Sequence, residues 1–372
     1  FRLTPILTMA AIFLAEVVFI FAWRIGYNTV LVKIARERVL FFGLGDEIRE
    51  VARHIRMNPQ LGYEATAGIA LEYDQPPTGE YGFPTLPSTG QMLPEIIRQY
   101  HIGTVIVSPA IKTNALLTKI IFAVIPLGVT VIEFSRFYEY VMGKIPTSLI
   151  GEVWFLENLI GLRRPRYEFS KRILDLTLAF LIGAVALVLF PFIAAAVVLA
   201  TPQDVLNYRK LRAHTGDGVV FFRQARVGLA GKPFGFIKFR GMVLGAETRG
   251  GEKWSDDSRI TPVGTFLRKT YLDELTQIWN IVKGEMSFVG PRPERPEYVA
   301  ALERHIPFYR MRELVLPGIT GWAQINMAND ASVSDAPEKV QYDLFYIKNR
   351  SIALDLSILL KTALKLLQRS GR

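Results

Sequence analysis

Residues 176–200 are 25 consecutive positions without a single charge. A run of that length must leave water, either into a bilayer or under other protein, because about 20 apolar residues match one hydrocarbon thickness. Pro191 sits inside it. Proline lacks a backbone donor and clashes with the carbonyl four residues back, so it bends or breaks a helix. The flanks add a second constraint. Arg166, Lys171 and Arg172 precede the run, and Arg209, Lys210 and Arg212 follow it. Basic residues mark the cytoplasmic side of a membrane segment. Two readings are therefore open: a straight span, or a re-entrant hairpin over residues 171–203 that turns at Pro191 and leaves by the face it entered.

A second apolar run covers residues 4–23, interrupted only by Glu16 and closed by Trp23. It reads as one bilayer crossing with an interfacial aromatic anchor. Arg24, Lys33, Arg36 and Arg38 follow, which places its C-terminal side in the cytoplasm. The chain begins at Phe1, already apolar, without a basic region or a small-residue cleavage site. The expectation is that it is the later part of a longer chain, with residues 1–24 ending an N-terminal membrane bundle.

Between and after these runs the chain is too polar for a polytopic transporter, and too apolar for disorder: half of its 372 residues are hydrophobic. It contains no cysteine, which excludes a disulfide framework, a thiol nucleophile and thiolate metal sites. Charge is uneven. Residues 1–165 hold 15 basic and 14 acidic side chains, whereas residues 166–372 hold 29 and 20. The basic half fits a phosphorylated substrate or an anionic surface. Nucleic acid is disfavoured, because this half is joined to a membrane segment.

Residues 38–150 alternate apolar β-rich runs with helical patterns. Strands are expected at 39–42, 67–71, 104–107 and 129–134, with helices at 46–55, 93–100 and 116–124. Such alternation predicts a parallel α/β layer. Gly43-Leu44-Gly45 follows the first strand as in a dinucleotide fingerprint, but Ile48 holds the third glycine position. Asp46 and Glu47 stand where a pyrophosphate would lie and would repel it. Residues 25–150 are thus expected to form a Rossmann-like domain that serves packing or regulation without a dinucleotide. Residues 151–170 read as a linker.

In the C-terminal half, glycine-rich residues 228–232 join two strand-like runs, 219–226 and 233–240, as a hairpin. Asp273 and Glu274 are adjacent carboxylates. Thr270-x-x-Asp273 has the spacing of a helix capping box. The same pair could serve phosphoryl chemistry, since a carboxylate can attack phosphorus and split one hard step into two. Arg268 lies upstream, and Arg292 stands between two prolines on a stiff backbone; guanidinium forks clamp phosphoryl oxygens. His54, His101, His214 and His305 lie too far apart for zinc spacing. No Gly-x-Ser-x-Gly elbow or Walker loop occurs.

With these residues in view, positions 166–367 resemble the bacterial sugar transferases, monotopic polyprenyl-phosphate phosphoglycosyl transferases. The carriers are Lys238-Phe239-Arg240, Asp257-x-Arg259, Leu272-Asp273-Glu274-Leu275, Val289-Gly290-Pro291-Arg292-Pro293 and Pro317-Gly318-Ile319-Thr320-Gly321-Trp322-Ala323-Gln324. Glu294-Arg295-Pro296-Glu297 is similar to members from exopolysaccharide systems. Larger members carry four membrane helices and a Rossmann-like domain before the transferase. The implied architecture is an α/β membrane protein: a transmembrane helix, a Rossmann-like parallel α/β domain, then an α+β catalytic domain at 204–372 behind the re-entrant helix.

The resemblance implies transfer of a sugar-1-phosphate from a UDP-sugar to undecaprenyl phosphate, with UMP released, at the cytoplasmic face of the inner membrane. Asp273 would be the nucleophile and would hold Mg²⁺, and Glu274 would assist. Arg268, Arg292, Lys238, Arg240, Arg259 and Arg312 would bind phosphates. Asp257, Glu297, Gly318, Thr320 and Gln324 would shape the nucleotide and sugar site. Family analogy alone suggests a homodimer, and the identity of the sugar is not readable. The chain departs from the usual pattern at Phe190, Gly241, Gly245, Thr276 and Glu285. The competing reading is a membrane-attached regulatory protein without catalysis; an intact carboxylate pair and intact arginines speak against it.

Overall fold

The structure is a computed structural model that describes residues 4–26, 36–71, 80–86, 93–109, 114–159, 164–206, 218–246, 259–327 and 333–369. Lys33, Arg209, Lys210, Arg212, His214 and Asp257 lie outside these residues. The chain divides into two compact units, Phe1–Ile150 and Gly151–Arg372.

In the first unit, Thr4–Gly26 is a single helix with exposed apolar side chains such as Phe13, Phe19 and Trp23. Its 23 residues span about 35 Å. Five parallel strands follow: β1 (Glu37–Phe42), β2 (Tyr63–Ile69), β3 (Thr85–Leu86), β4 (Thr104–Val107) and β5 (Thr130–Glu133). Their order is β3-β2-β1-β4-β5. Successive β1 side chains alternate between two cores, as strand pleating requires. Leu40 and Phe42 pack with Ile96, Ile97 and Ile121, while Val39 and Phe41 pack with Val51, Ile55 and Phe137. Both sheet faces are covered, which is why the central strands are uniformly apolar. The four expected strands are present, and the two-residue edge strand β3 is one that was not expected. β2 starts earlier than expected, because its polar first residues pair with Glu37 and Arg38 at the sheet margin.

Gly43 ends β1 at φ +99°, and a side chain there would strike Ser108 at 2.8 Å. Asp46 pairs with Arg49 at 3.0 Å, and Glu47 accepts a hydrogen bond from Ser148. These acids are bound to their own fold.

In the second unit, residues 151–170 are not a linker. Glu152–Leu159 is a helix whose Phe155 is buried against Phe308, and Arg164 donates to the carbonyls of Lys348 and Arg350. A helix of 36 residues, Pro165–Ala200, then runs without interruption through Pro191. The helix assignment therefore continues through Pro191, where a turn between two arms was expected. A proline removes one ladder hydrogen bond and can be carried inside a long helix when packing holds both sides.

Packing does so here. On the N-terminal side, Arg172 donates to the carbonyls of Ile281 and Val282, and Asp175 accepts from Ser287 Oγ and the Phe288 N–H. On the C-terminal side, Ile193 and Val197 pack with Phe239 and Leu267, and Phe190 meets the rings of Phe221 and Phe239. The opposite face stays exposed and apolar, with Phe180, Leu187, Phe192 and Leu199 each at least 70% accessible. The helix is long and apolar enough to cross a membrane, and the chain is membrane-associated through it.

The remainder of the unit is mixed. β6 (Phe221–Val227) and β7 (Pro233–Phe239) form the expected antiparallel hairpin. β8 (Ser287–Val289) and β9 (Gly318–Thr320) pair in parallel. Helices Ala336–Asn349 and Ile352–Arg369 close the unit, and their Tyr346 and Asp355 tie to Tyr167 and Lys171 at the start of the long helix.

Candidate active site

The helix Pro262–Thr270 starts cleanly. Thr261 accepts from the Gly264 N–H, and proline fills the first turn. A side chain at Gly264 would lie 1.8 Å from the Gly241 carbonyl, so this helix rests directly on the strand exit after β7. The helix ends at Tyr271, whose φ of 58° is left-handed and costs a non-glycine residue about 1–2 kcal/mol. That reversal delivers a 3₁₀ turn, Leu272–Gln277.

The capping box expected at Thr270 is absent. Its hydroxyl donates backwards to Phe266 and Leu267, because Thr270 closes one helix instead of opening the next.

Residues three apart eclipse in a 3₁₀ turn. Leu272 and Leu275 therefore both face the core beside Leu267 and Phe239. Asp273 and Glu274 fall on the other sides, each less than a tenth exposed. Lys238 reaches them from β7, its Nζ 3.6 Å from Asp273 Oδ2 and 2.7 Å from Glu274 Oε1. Arg292 completes the cluster at 3.1 Å from Glu274 Oε1.

Arg292 is held by more than its two prolines. The Pro291 carbonyl accepts from the Gly318 N–H, and the Arg292 carbonyl from Arg312. The Pro293 carbonyl accepts from Arg226, and the Glu294 carbonyl from the Val227 N–H. Four consecutive carbonyls are tied down, so the guanidinium leaves a fixed backbone.

The electrostatics divide the pair. Burial pushes Asp273 above its ordinary value, and the Glu274 charge adds to this; Lys238, Arg268 and Arg292 offset only part. Burial would also raise Glu274, but Arg292 and Lys238 outweigh it and hold that carboxylate at about 2. Glu274 is thus a permanent anion matched to two cations. Asp273 is the destabilised anion of the two, buried and less directly paired, and so the better nucleophile.

The other expected site residues separate. Arg268 is half-buried and near enough to lower Asp273. Arg240 is not a phosphate ligand: it is buried, and its guanidinium is used by Asp204, Thr201 and the Val219 carbonyl. Arg312 is likewise buried and occupied: it pairs with Asp343 at 2.7 Å and with Tyr309, and it grips the Arg292 carbonyl. Arg259 donates to the Ala246 carbonyl. Glu297 is exposed and lies 3.9 Å from Arg295, not beside the carboxylates.

Gly318 is structural: a side chain there would lie 2.1 Å from the Gly290 nitrogen. Thr320 is buried and hydrogen-bonds Thr362, and Gln324 donates to the Ile319 carbonyl. The segment therefore supports the Pro-Arg-Pro loop from behind.

Two residues that sequence reasoning missed matter here. Asp175 links the long helix to β8, and a lone carboxylate bordering an apolar run was the available signal. Asn280 is fully buried and bonds the Gly235 carbonyl and Glu285, which accounts for glutamate at 285. Among the described residues no group of three or more His, Asp or Glu side chains is gathered to bind a metal.

Comparison with known proteins gives one family model, bacterial sugar transferase, matching residues 166–369. A UDP-N-acetylgalactosamine-undecaprenyl-phosphate N-acetylgalactosaminephosphotransferase of Aeromonas hydrophila is 38% identical over 62% of this chain and 53% of its own length. A UDP-glucose:undecaprenyl-phosphate glucose-1-phosphate transferase of Xanthomonas campestris is 30% identical over 89% of this chain and 66% of its own. An uncharacterized sugar transferase of Bacillus subtilis is 37% identical over 54% of this chain and 89% of its own. The chain thus spans between about half and two thirds of the first two relatives. Among solved structures, a UDP-D-quinovosamine 4-dehydrogenase from Vibrio fischeri matches 30% of this chain and 88% of that chain, at 22% identity and a TM-score of 0.23, too loosely to argue from.

Proposed function

The chain belongs to the bacterial sugar transferase family, and from that premise we propose that it moves a sugar-1-phosphate from a UDP-sugar to undecaprenyl phosphate. The observation that carries the mechanism is the unequal carboxylate pair. Asp273 is buried with a raised pKa beside Lys238, while Glu274 is locked as an anion by Lys238 and Arg292.

In the first step an Asp273 carboxylate oxygen attacks the β-phosphorus. The Asp–O–P bond forms, the bond to the bridging oxygen breaks, and UMP leaves with that electron pair. In the second step a phosphate oxygen of the acceptor attacks the same phosphorus and the Asp273 carboxylate is released. No net proton is transferred in either step. Lys238 and Arg292 stand beside the phosphorus and balance charge spread over its oxygens. Glu274 positions those two cations, and Arg312 positions Arg292.

Asp273 would hold Mg²⁺ together with substrate phosphates, since that ion is commonly bound by one or two carboxylates plus phosphates. When bound it would neutralise diphosphate charge.

The strand order β3-β2-β1-β4-β5 supports reading residues 25–150 as a Rossmann-like domain. Basic flanks at both ends of the long helix support same-face membrane entry with the catalytic unit cytoplasmic. The test is single-turnover UMP release from UDP-glucose, UDP-galactose and UDP-N-acetylhexosamines without acceptor. Asp273→Asn is expected to abolish release and to carry no labelled sugar phosphate. Full release by that variant would refute the nucleophile assignment.

A further inference from the structure

A cavity of about 400 Å³ lies between the long apolar helix, the β6–β7 hairpin and the segment just after the carboxylate pair. Ala186 and Phe190 line it from the helix, Phe221 and Ile237 from the hairpin, and Thr276 and Trp279 from the third side. Arg223 is the one charged side chain among its lining residues; it is exposed and has no ion-pair partner among the described residues.

We propose that this cavity holds the first isoprene units of a prenyl-phosphate acceptor. The proposal rests on the transferase reading above and adds where the acceptor's chain lies.

Three features carry it. The first is position. Thr276 eclipses Asp273 in the 3₁₀ turn, one turn of about 6 Å away. A ligand filling the cavity as far as Thr276 therefore ends beside the nucleophile. The second is the hairpin's pleat. Lys238 and Ile237 are neighbours on β7, so they point to opposite faces. One face presents a cation to the carboxylates and the other walls the cavity. That keeps the apolar chain apart from the charged cluster, so its phosphate meets the carboxylates at the Thr276 end of the cavity. The third is size and entry. An apolar cavity of about 150 Å³ accommodates benzene, so this one holds about sixteen carbons, or about three isoprene units. Leu187 and Trp279 line the cavity and are themselves largely exposed, so a chain already in the bilayer can enter between them. Arg223 at an anionic membrane surface would hold headgroup charge near the mouth.

The test uses the full chain in phospholipid nanodiscs and a diazirine-bearing farnesyl phosphate as photoprobe. Label is expected on residues 183–190 or 275–279, displaced by excess undecaprenyl phosphate and not by excess phosphatidylglycerol. Label elsewhere, or equal displacement by phospholipid, would overturn the proposal; the second outcome would mark an ordinary lipid site. Ala186→Phe gives an independent readout. Acceptor KM is expected to rise about tenfold or more, with UMP release in the absence of acceptor unchanged. An unchanged acceptor KM would count against the site. Labelling is read on the unmutated chain, so it stands whether or not the variant folds. Specific labelling without any UMP release would sink the transferase reading and keep the lipid site; release with label elsewhere would do the reverse.

Discussion

Replacing Glu274 by glutamine isolates the electrostatics of the site. Glutamine is close in shape to a protonated glutamate, so the variant mimics at every pH what the native side chain becomes only in strong acid. Arg292 and Lys238 hold the folded carboxylate down to about 2, against 4.5 for an ordinary glutamate, and the residue is 8% exposed. A difference of 2.5 pH units corresponds to roughly 3 kcal/mol of stability. The sign follows from a depressed folded pKa. Above pH 4.5 the carboxylate is ionised in both states and the contribution is fully present. As pH falls, the unfolded chain takes up its proton first, and the contribution is gone once the folded carboxylate is protonated near 2. Glu274→Gln should therefore be about 3 kcal/mol less stable than the native chain near neutrality and should converge with it in strong acid. Urea unfolding in detergent, followed by circular dichroism, reads this directly. With an m-value of about 2–3 kcal/mol/M, the midpoints should differ by about 1 M or more near neutrality. Urea is uncharged and does not screen the pair. A stability difference that stays constant with pH would refute the reasoning, because it would make the loss one of shape and not of charge.

Asp273 should set an acid limb in UMP release that lies above 3.8, since burial raises it and only the ionised form attacks; a limb at or below that value in a single-turnover pH profile would contradict the assignment. Gly318→Ala should destabilise the fold by about 3 kcal/mol or more, because its side chain would meet the Gly290 nitrogen at 2.1 Å; an unchanged melting temperature would argue against that packing. Gln277 is fully buried, and its amide has no hydrogen-bond partner among the described residues, so Gln277→Met should be neutral or stabilising by about 1–2 kcal/mol in thermal melts. Asp175→Ala should cost about 2–4 kcal/mol and loosen the long helix, seen as faster proteolysis near its start.

Much of this was legible along the chain. The parallel strands were readable because apolar runs buried on both faces have a recognisable composition, and the hairpin because glycines crowd its turn. Asp273, Glu274 and Arg292 were readable because paired acids and a proline-flanked arginine are locally unusual. Arg240 and Arg312 were not separable from Arg292 by any local mark. Their fate is decided by Asp204, 36 residues before one, and Asp343, 31 residues after the other. Whether a guanidinium faces substrate or core depends on such distant partners. Thr270 matched a capping pattern, but Tyr271 takes a left-handed turn that the spacing does not encode. Pro191 lies inside a helix that is packed on both sides of it, by partners far along the chain that no local pattern announces.

The buried carboxylate of Asp175 has a consequence for preparing this protein. It satisfies Ser287 and the Phe288 N–H, in the strand that leads into the Pro-Arg-Pro loop. Ala179 of the same helix lies in one core with Ile281 and Phe288. Trimming the chain after the long helix would thus leave two donors without their acceptor and bare apolar surface beneath the Pro-Arg-Pro loop. The part of the unit after the helix shares its interior with it, so truncation at that boundary is expected to give an aggregating fragment, as size-exclusion chromatography would read.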